Sequence, residues 1–134
     1  MSDKEIVRVR HVMKHQYDMV DGMATVADAL RTMKHVDTKC LVVDKRHEDD
    51  EYGMLLISDV ARHLVAHDRS PERVNVYEIM AKPVVCVDPD MDIKYCARLF
   101  DNFHLSRSPV VENGKVVGIV SFTDLVLKGL YKNL

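Results

Sequence analysis

The chain carries one structural unit twice. Gly53-Met-Leu-Leu-Ile-Ser-Asp59 is echoed by Gly118-Ile-Val-Ser-Phe-Thr-Asp124, with glycine and aspartate six positions apart in each. Upstream, Lys39-Cys-Leu-Val-Val43 matches Arg107-Ser-Pro-Val-Val111, and Val12-Met13 matches Ile79-Met80. Val26, Ala29, Leu30 and Met33 match Ile93, Cys96, Ala97 and Phe100; both sets follow the i, i+3, i+4, i+7 spacing of one helical stripe. The offsets run from 65 to 68, so the copies differ by small insertions. Two copies are too few for a solenoid and suit a pseudo-two-fold pair.

Each copy reads alike. A short extended piece (Tyr17–Val20; Val84–Val87) leads into a helix, signalled by Thr25-x-x-Asp28 in the first copy and by Asp92 as an N-cap in the second. Two strands follow, Leu41–Asp44 with Met54–Ile57 and Val110–Glu112 with Val116–Phe122. Asn113-Gly114 is a type I′ hairpin signal, where the first copy has the mixed-charge run from Asp44 to Glu51, read as a solvated loop. A last helix closes each copy, Asp59–His67 and Asp124–Lys132. The fold class is α/β.

With 134 residues, 47% of them apolar, the chain can bury a core. A net charge of −2 with interspersed signs argues against nucleic acid as a partner. The N-terminal MSDKEIVRVR has no apolar core of signal-peptide length and no run approaches membrane-spanning length, so a cytoplasmic location with no membrane partner is expected. Cys40, Cys86 and Cys96 sit among apolar residues and fit free thiols in a reducing compartment.

The end of the second hairpin raises the functional question. Asp in a first helical turn favours the macrodipole, and Thr123 before Asp124 is a natural N-cap; Ser58-Asp59 reads the same way. Ser121 is not covered by that account. On period two, Val117, Ile119, Ser121 and Thr123 share a strand face, and the first copy has Leu56 at the matching position. The hydroxyl is either a satisfied core serine or a ligand contact.

The tandem repeat, with G-h-h-S/T-x-x-D closing each unit and R-x-P-V-V in the strand before it, resembles a pair of CBS domains (a Bateman module) over residues 8–131. The resemblance implies two β-α-β-β-α CBS repeats, 8–68 and 75–132, packed as a pseudo-two-fold pair through their sheets with two clefts between them. It implies a regulatory module rather than an enzyme, with no cofactor beyond an adenine nucleotide or other adenosine-containing ligand (AMP, ADP, ATP, S-adenosylmethionine or NAD) in a cleft. A homodimer is implied too. The Asp124 carboxylate would accept both hydroxyls of a ribose cis-diol, each charge-assisted bond being worth roughly 1.5–3 kcal/mol. Ser121 would reach the sugar or first phosphate, with Thr123 beside it.

By the same resemblance, the base would lie against the first strand of the other unit, at Tyr17, Asp18 and Met19. Asp18 departs from the family's usual apolar or small residue, and either accepts from the adenine amino group or points outward. Arg107 and Lys39, read as equivalent positions, are where the family often places phosphate-binding bases, and arginine grips bidentately. The mirror site, Asp59 and Ser58 with Val84 and Val85, lacks a hydroxyl because of Leu56 and is expected to be degenerate.

His11 with His15 and His63 with His67 stand at i, i+4, but no third ligand is patterned with them, and no metal is expected. No paired acids, triad or phosphate loop suggests catalysis. The leading reading is thus a nucleotide sensor acting on an unidentified partner protein, since the chain closes shortly after the second copy. The alternative is a ligand-free dimeric scaffold joined through the helices after Asp59 and Asp124. Under the sensor reading, Asp124→Ala is expected to stay folded while losing nucleotide binding.

Overall fold

The N-terminal segment folds with the end of the chain. In the computed structural model, which describes residues 6–131 and 134, the segment ending at Gln16 forms one compact unit with Val85–Leu134, and Tyr17–Val84 forms the other. They are called here the split and the contiguous unit. The first five residues of the N-terminal stretch and the expected helix end at Lys132 lie outside the described residues.

The split unit begins with a helical turn, α1 (Val9–Val12). The contiguous unit follows with β1 (Met19–Val20), α2 (Val26–Thr32), β2 (Cys40–Val43), β3 (Gly53–Leu56) and α3 (Ile57–His63). β2 is central, parallel to β1 and antiparallel to β3, with Val43 opposite Gly53 and Cys40 opposite Leu56. Thr25 caps α2 by accepting from the Asp28 amide at 3.1 Å, as the sequence predicts. Val26 and Ala29 of the predicted stripe are buried, but Leu30 is exposed and Met33 already lies past the helix end. The core gathers Val26, Ala29, Leu41, Val43, Leu55, Leu64, Val74 and Val76.

The charge run between β2 and β3 is largely solvated, with one exception. Asp50 turns back to accept from Lys82 Nζ at 2.7 Å and from the Arg46 amide at 2.9 Å. The Lys82 hydrogen bond first, and the Arg46 amide next, hold its carboxyl well below the usual carboxylate range. A depressed folded pKa means that the unfolded chain binds the extra proton first. The contribution is therefore complete above the unfolded value near pH 4 and is lost as pH falls below it. Urea midpoints measured from pH 6 down to pH 2 will fall less steeply for Asp50→Asn than for the wild type.

The split unit resumes with α4 (Ile93–Phe103), β4 (Arg107–Glu112), β5 (Lys115–Ser121) and a helical segment that begins as α5 (Phe122–Asp124) and continues with π geometry through Leu125–Leu130. Asp92 caps α4 through the Lys94 amide. Asn113 and Gly114 both take positive φ, 53° and 77°, the signs that a type I′ turn requires. The expected extended piece Val84–Val87 reduces to one residue, Val87, bridged in parallel to Val110 where β1 bridges Val43 in the other unit. Phe100, Cys96, Val9, Val12, Val110 and Val120 form this unit's core.

Each unit gains one more bridging segment. Lys14 and Ile119 exchange both backbone hydrogen bonds, at 2.8 and 2.9 Å, and Ala81 and Met54 do the same at 2.9 Å. These bridges explain the glycine that opens both copies of the motif. A Cβ at Gly118 would stand 2.5 Å from the Lys14 carbonyl oxygen, and one at Gly53 would stand 3.0 Å from that of Ala81.

Candidate functional site

In the split unit, β5 leaves the sheet at Ser121, whose extended backbone makes it the N-cap of α5. Ser121 Oγ accepts from the Asp124 amide at 3.2 Å. In return, Asp124 Oδ2 accepts from the Ser121 amide at 3.1 Å and from its hydroxyl at 3.0 Å. This reciprocal capping box corrects the expectation that Thr123 is the cap. The sheet ends before Thr123, which lies inside the helix and is exposed, so it shares no strand face with Ser121. Of the two readings of the Ser121 hydroxyl, the intrachain one is satisfied.

Asp124 is 2% exposed, and its second oxygen is occupied as well. Oδ1 accepts from Lys14 Nζ at 2.7 Å, and Lys128 Nζ stands 3.5 Å away, one helical turn on. The Lys14 side chain is 22% exposed. Arg107 lies directly across the strand pair from Ser121, so their side chains emerge on one face. The turn therefore brings together Ser121, Asp124 and Arg107 from the sequence reading and adds Lys14, which that reading missed. No local pattern could reveal Lys14: it is 110 residues from Asp124, and the other copy has alanine in its place.

The contiguous unit builds the equivalent turn differently. Leu56 is the N-cap and supplies no side-chain bond, Ser58 is exposed, and Asp59 pairs only at 3.2 Å with Arg62 within its own helix. Its side chain is 19% exposed. Ala81 stands where the split unit has Lys14. Lysine and serine occur together in one turn, alanine and leucine in the other.

The strand register also corrects the pairing of Lys39 with Arg107. Arg107 faces Ser121 as Cys40 faces Leu56, so Cys40 is the counterpart of Arg107. Lys39 corresponds instead to Ser106, since their carbonyls accept from Ile57 and Phe122 respectively. Matching Val42-Val43 to Val110-Val111 by sequence sets the copies out of step, because Val43 pairs with Gly53 as Val110 pairs with Gly118. The true offset is one residue shorter, and the bulge that leaves Val117 unpaired lies beyond Val110. Lys39 itself sits at φ 58° just before β2 and is exposed.

Tyr17, Asp18, Met19 and Lys39 belong to the contiguous unit. Asp18 neither points outward nor stands idle. Its two oxygens accept from the Lys34 and His35 amides at 2.9 and 2.8 Å, tying the entry of β1 to the loop after α2. Tyr17 is half-buried, and burial is the main cause of the rise in its hydroxyl pKa. Met19 is 41% exposed. These three residues and the Met33–His35 loop edge an open concavity of about 630 Å³. Of the residues read for the mirror site, Val84 donates its amide to the Tyr52 carbonyl and the Val85 carbonyl accepts from the Ser108 hydroxyl.

His11, His15, His63 and His67 are all exposed, and His11 Nδ1 accepts from the Arg8 amide. Among the described residues no group of three or more His, Cys, Asp or Glu is placed to hold a metal ion, and no helix is long and apolar enough to cross a membrane.

Two stretches, 9–66 and 76–130, match the family model for the CBS domain. The chain belongs to the CBS-domain family. In this CBS-domain protein, residues 17–66 of the first matched stretch lie in the contiguous unit and 85–130 of the second in the split unit, while 9–16 and 76–84 each fold with the other copy. The chain is 35% identical to a hexameric CBS-CP12 protein from bloom-forming cyanobacteria, aligning over 96% of its own length and 74% of that chain with a TM-score of 0.89. Over 113 residues it is 27% identical to the uncharacterized protein MK0525 of Methanopyrus kandleri, covering 81% of this chain but only 57% of that relative. The CBS domain pair of protein MJ0100, solved with 5-methylthioadenosine and S-adenosyl-L-methionine, aligns over 90% of this chain and 98% of its own with a TM-score of 0.75; at 20% identity that likeness is one of fold.

Proposed function

We propose that this CBS-domain protein is a regulatory module that takes an adenosine-containing nucleotide at the Ser121–Asp124 turn and conveys its occupancy to a partner protein. One observation carries the reading. A single carboxylate, Asp124, is held in the first helical turn after β5 in a fixed orientation, with Lys14 and Lys128 as ion-pair partners, and Arg107 pairs with Ser121 across the strands beside it. A carboxylate so oriented suits a ribose diol, and the cations suit the phosphate attached to it. Ser121 adds a hydroxyl that can exchange its intrachain bond for one to the sugar. Within the contiguous unit, Tyr17 and Met19 keep apolar surface and Lys39 a charge open to a ligand, while Asp18 serves its loop. Asp59 and Ser58 belong to the weaker counterpart, a turn without equivalents of Lys14 and Ser121.

Thermal denaturation with AMP, ADP, ATP, S-adenosylmethionine and NAD tests the proposal. A ligand at one hundred times its dissociation constant stabilises the fold by about 2.7 kcal/mol. Asp59→Asn will keep that response and Arg107→Gln will weaken it. No response to any of the five overturns the reading.

A second reading has its own support. Every buried side-chain nitrogen and oxygen among the described residues already has a partner, Asp124 included, so the turn is complete without ligand. Phe122, Val126, Leu127 and Leu130 also present exposed apolar side chains along the last helical segment. A ligand-free scaffold self-associating through that segment would show a concentration-dependent mass by light scattering and no nucleotide response.

A further inference from the structure

We infer that Lys14 is a charge selector, admitting adenosine ligands that carry a phosphate at the Asp124 turn and rejecting neutral or cationic ones. The inference rests on the nucleotide reading above and adds to it the chemical class of ligand. Asp124 is almost fully covered, and the oxygen not committed to Ser121 is occupied by Lys14 at 2.7 Å. A sugar diol reaches that oxygen only if the ammonium moves aside. An ammonium drawn from a buried carboxylate is stable only where another anion meets it, because a partly buried charge left without its counter-charge is strongly disfavoured.

A phosphate on the ligand is such an anion. Adenosine and 5-methylthioadenosine offer none, and the sulfonium of S-adenosylmethionine would add a positive charge beside Lys14, Lys128 and Arg107. The two repeats of the chain supply an internal comparison. Where Lys14 and Ser121 are present, the carboxylate is sealed; where Ala81 and Leu56 replace them, Asp59 remains partly open and no lysine is bonded to it. Lys14 and Asp124 are thus one device, absent as a whole from the other turn.

Calorimetric titration of the full chain with AMP, adenosine and S-adenosylmethionine tests the inference. The wild type will bind AMP about tenfold or more tightly than adenosine, the weight of one charge-assisted hydrogen bond, and S-adenosylmethionine more weakly still. Lys14→Met will lower the ratio of AMP to adenosine affinity about tenfold, whereas Lys14→Arg will preserve it. A merely structural lysine would alter both affinities together and leave the ratio unchanged. A wild-type ratio near one, or a Lys14→Met variant that keeps the full wild-type ratio, overturns the selector while leaving the nucleotide reading intact. Absence of binding by all three ligands overturns that reading and the selector with it. Should Lys14→Met fail to fold, the wild-type ratio and the Lys14→Arg variant still decide.

Discussion

Asp124→Ala will destabilise the protein by about 3 kcal/mol in chemical denaturation, with no ligand present. Three losses combine. The Ser121 amide and hydroxyl lose their acceptor, the capping box opens, and Lys14 is left without the carboxylate that holds it at 2.7 Å. Removing one partner of a buried ion pair costs about 3–5 kcal/mol, and the partial exposure of Lys14 places this pair at the lower end. Thr123→Ala, one residue away but exposed, will change stability by no more than about 0.5 kcal/mol. In the double variant Asp124→Ala/Lys14→Met the total will fall short of the sum of the single changes, because the charge that the first leaves behind is removed by the second. Additive losses, or a single-variant loss below about 1 kcal/mol, would show that the pair does not support the fold. Asp124→Ala can stay folded at that cost, and loss of nucleotide response in the variant must be judged against its stability.

Gly118→Ala will be comparably damaging, by about 3 kcal/mol. The added Cβ would meet the Lys14 carbonyl oxygen at 2.5 Å and Met13 Sδ at 3.0 Å. A sulfur on a flexible side chain can yield, but a backbone carbonyl held in a bridge cannot do so without breaking it. Overpacking of this kind costs roughly 1–3 kcal/mol, and each Lys14–Ile119 hydrogen bond lost adds about 1 kcal/mol. Gly53→Ala, with its nearest carbonyl at 3.0 Å, will cost less. Urea denaturation of the two variants side by side measures the difference. A Gly118 variant as stable as the wild type would mean that the bridging segment is free to move off β5.

Much of this architecture is legible in the sequence because it depends on neighbours along the chain. The Thr25 and Asp92 caps, the Asn113-Gly114 turn and the order of strands and helices are all set within a few residues. What is not legible depends on distant segments or on strand register. The paired valines of β2 and β4 invite an alignment one residue out of step, and only the ladder, with Val43 opposite Gly53 and Val110 opposite Gly118, gives the counterpart of Arg107. The cap falls on Ser121 rather than Thr123 because the sheet ends two residues earlier than alternation suggests. Asp18 looks available until the loop after α2 brings two amides to it. Lys14, the ion-pair partner of Asp124, is announced by nothing nearby.

That Tyr17–Val84 lies, along the chain, between the two segments of the split unit also bears on how the chain folds. This stretch holds all of its own strands and can close as soon as it leaves the ribosome. The split unit cannot: its lysine–aspartate clasp spans 110 residues and must wait for the last hairpin. Contacts so remote in sequence form slowly. During synthesis Tyr17–Val84 will thus mature while the residues that complete the other unit wait at both of its ends, and the Lys14–Asp124 pair can close only once the second hairpin has emerged.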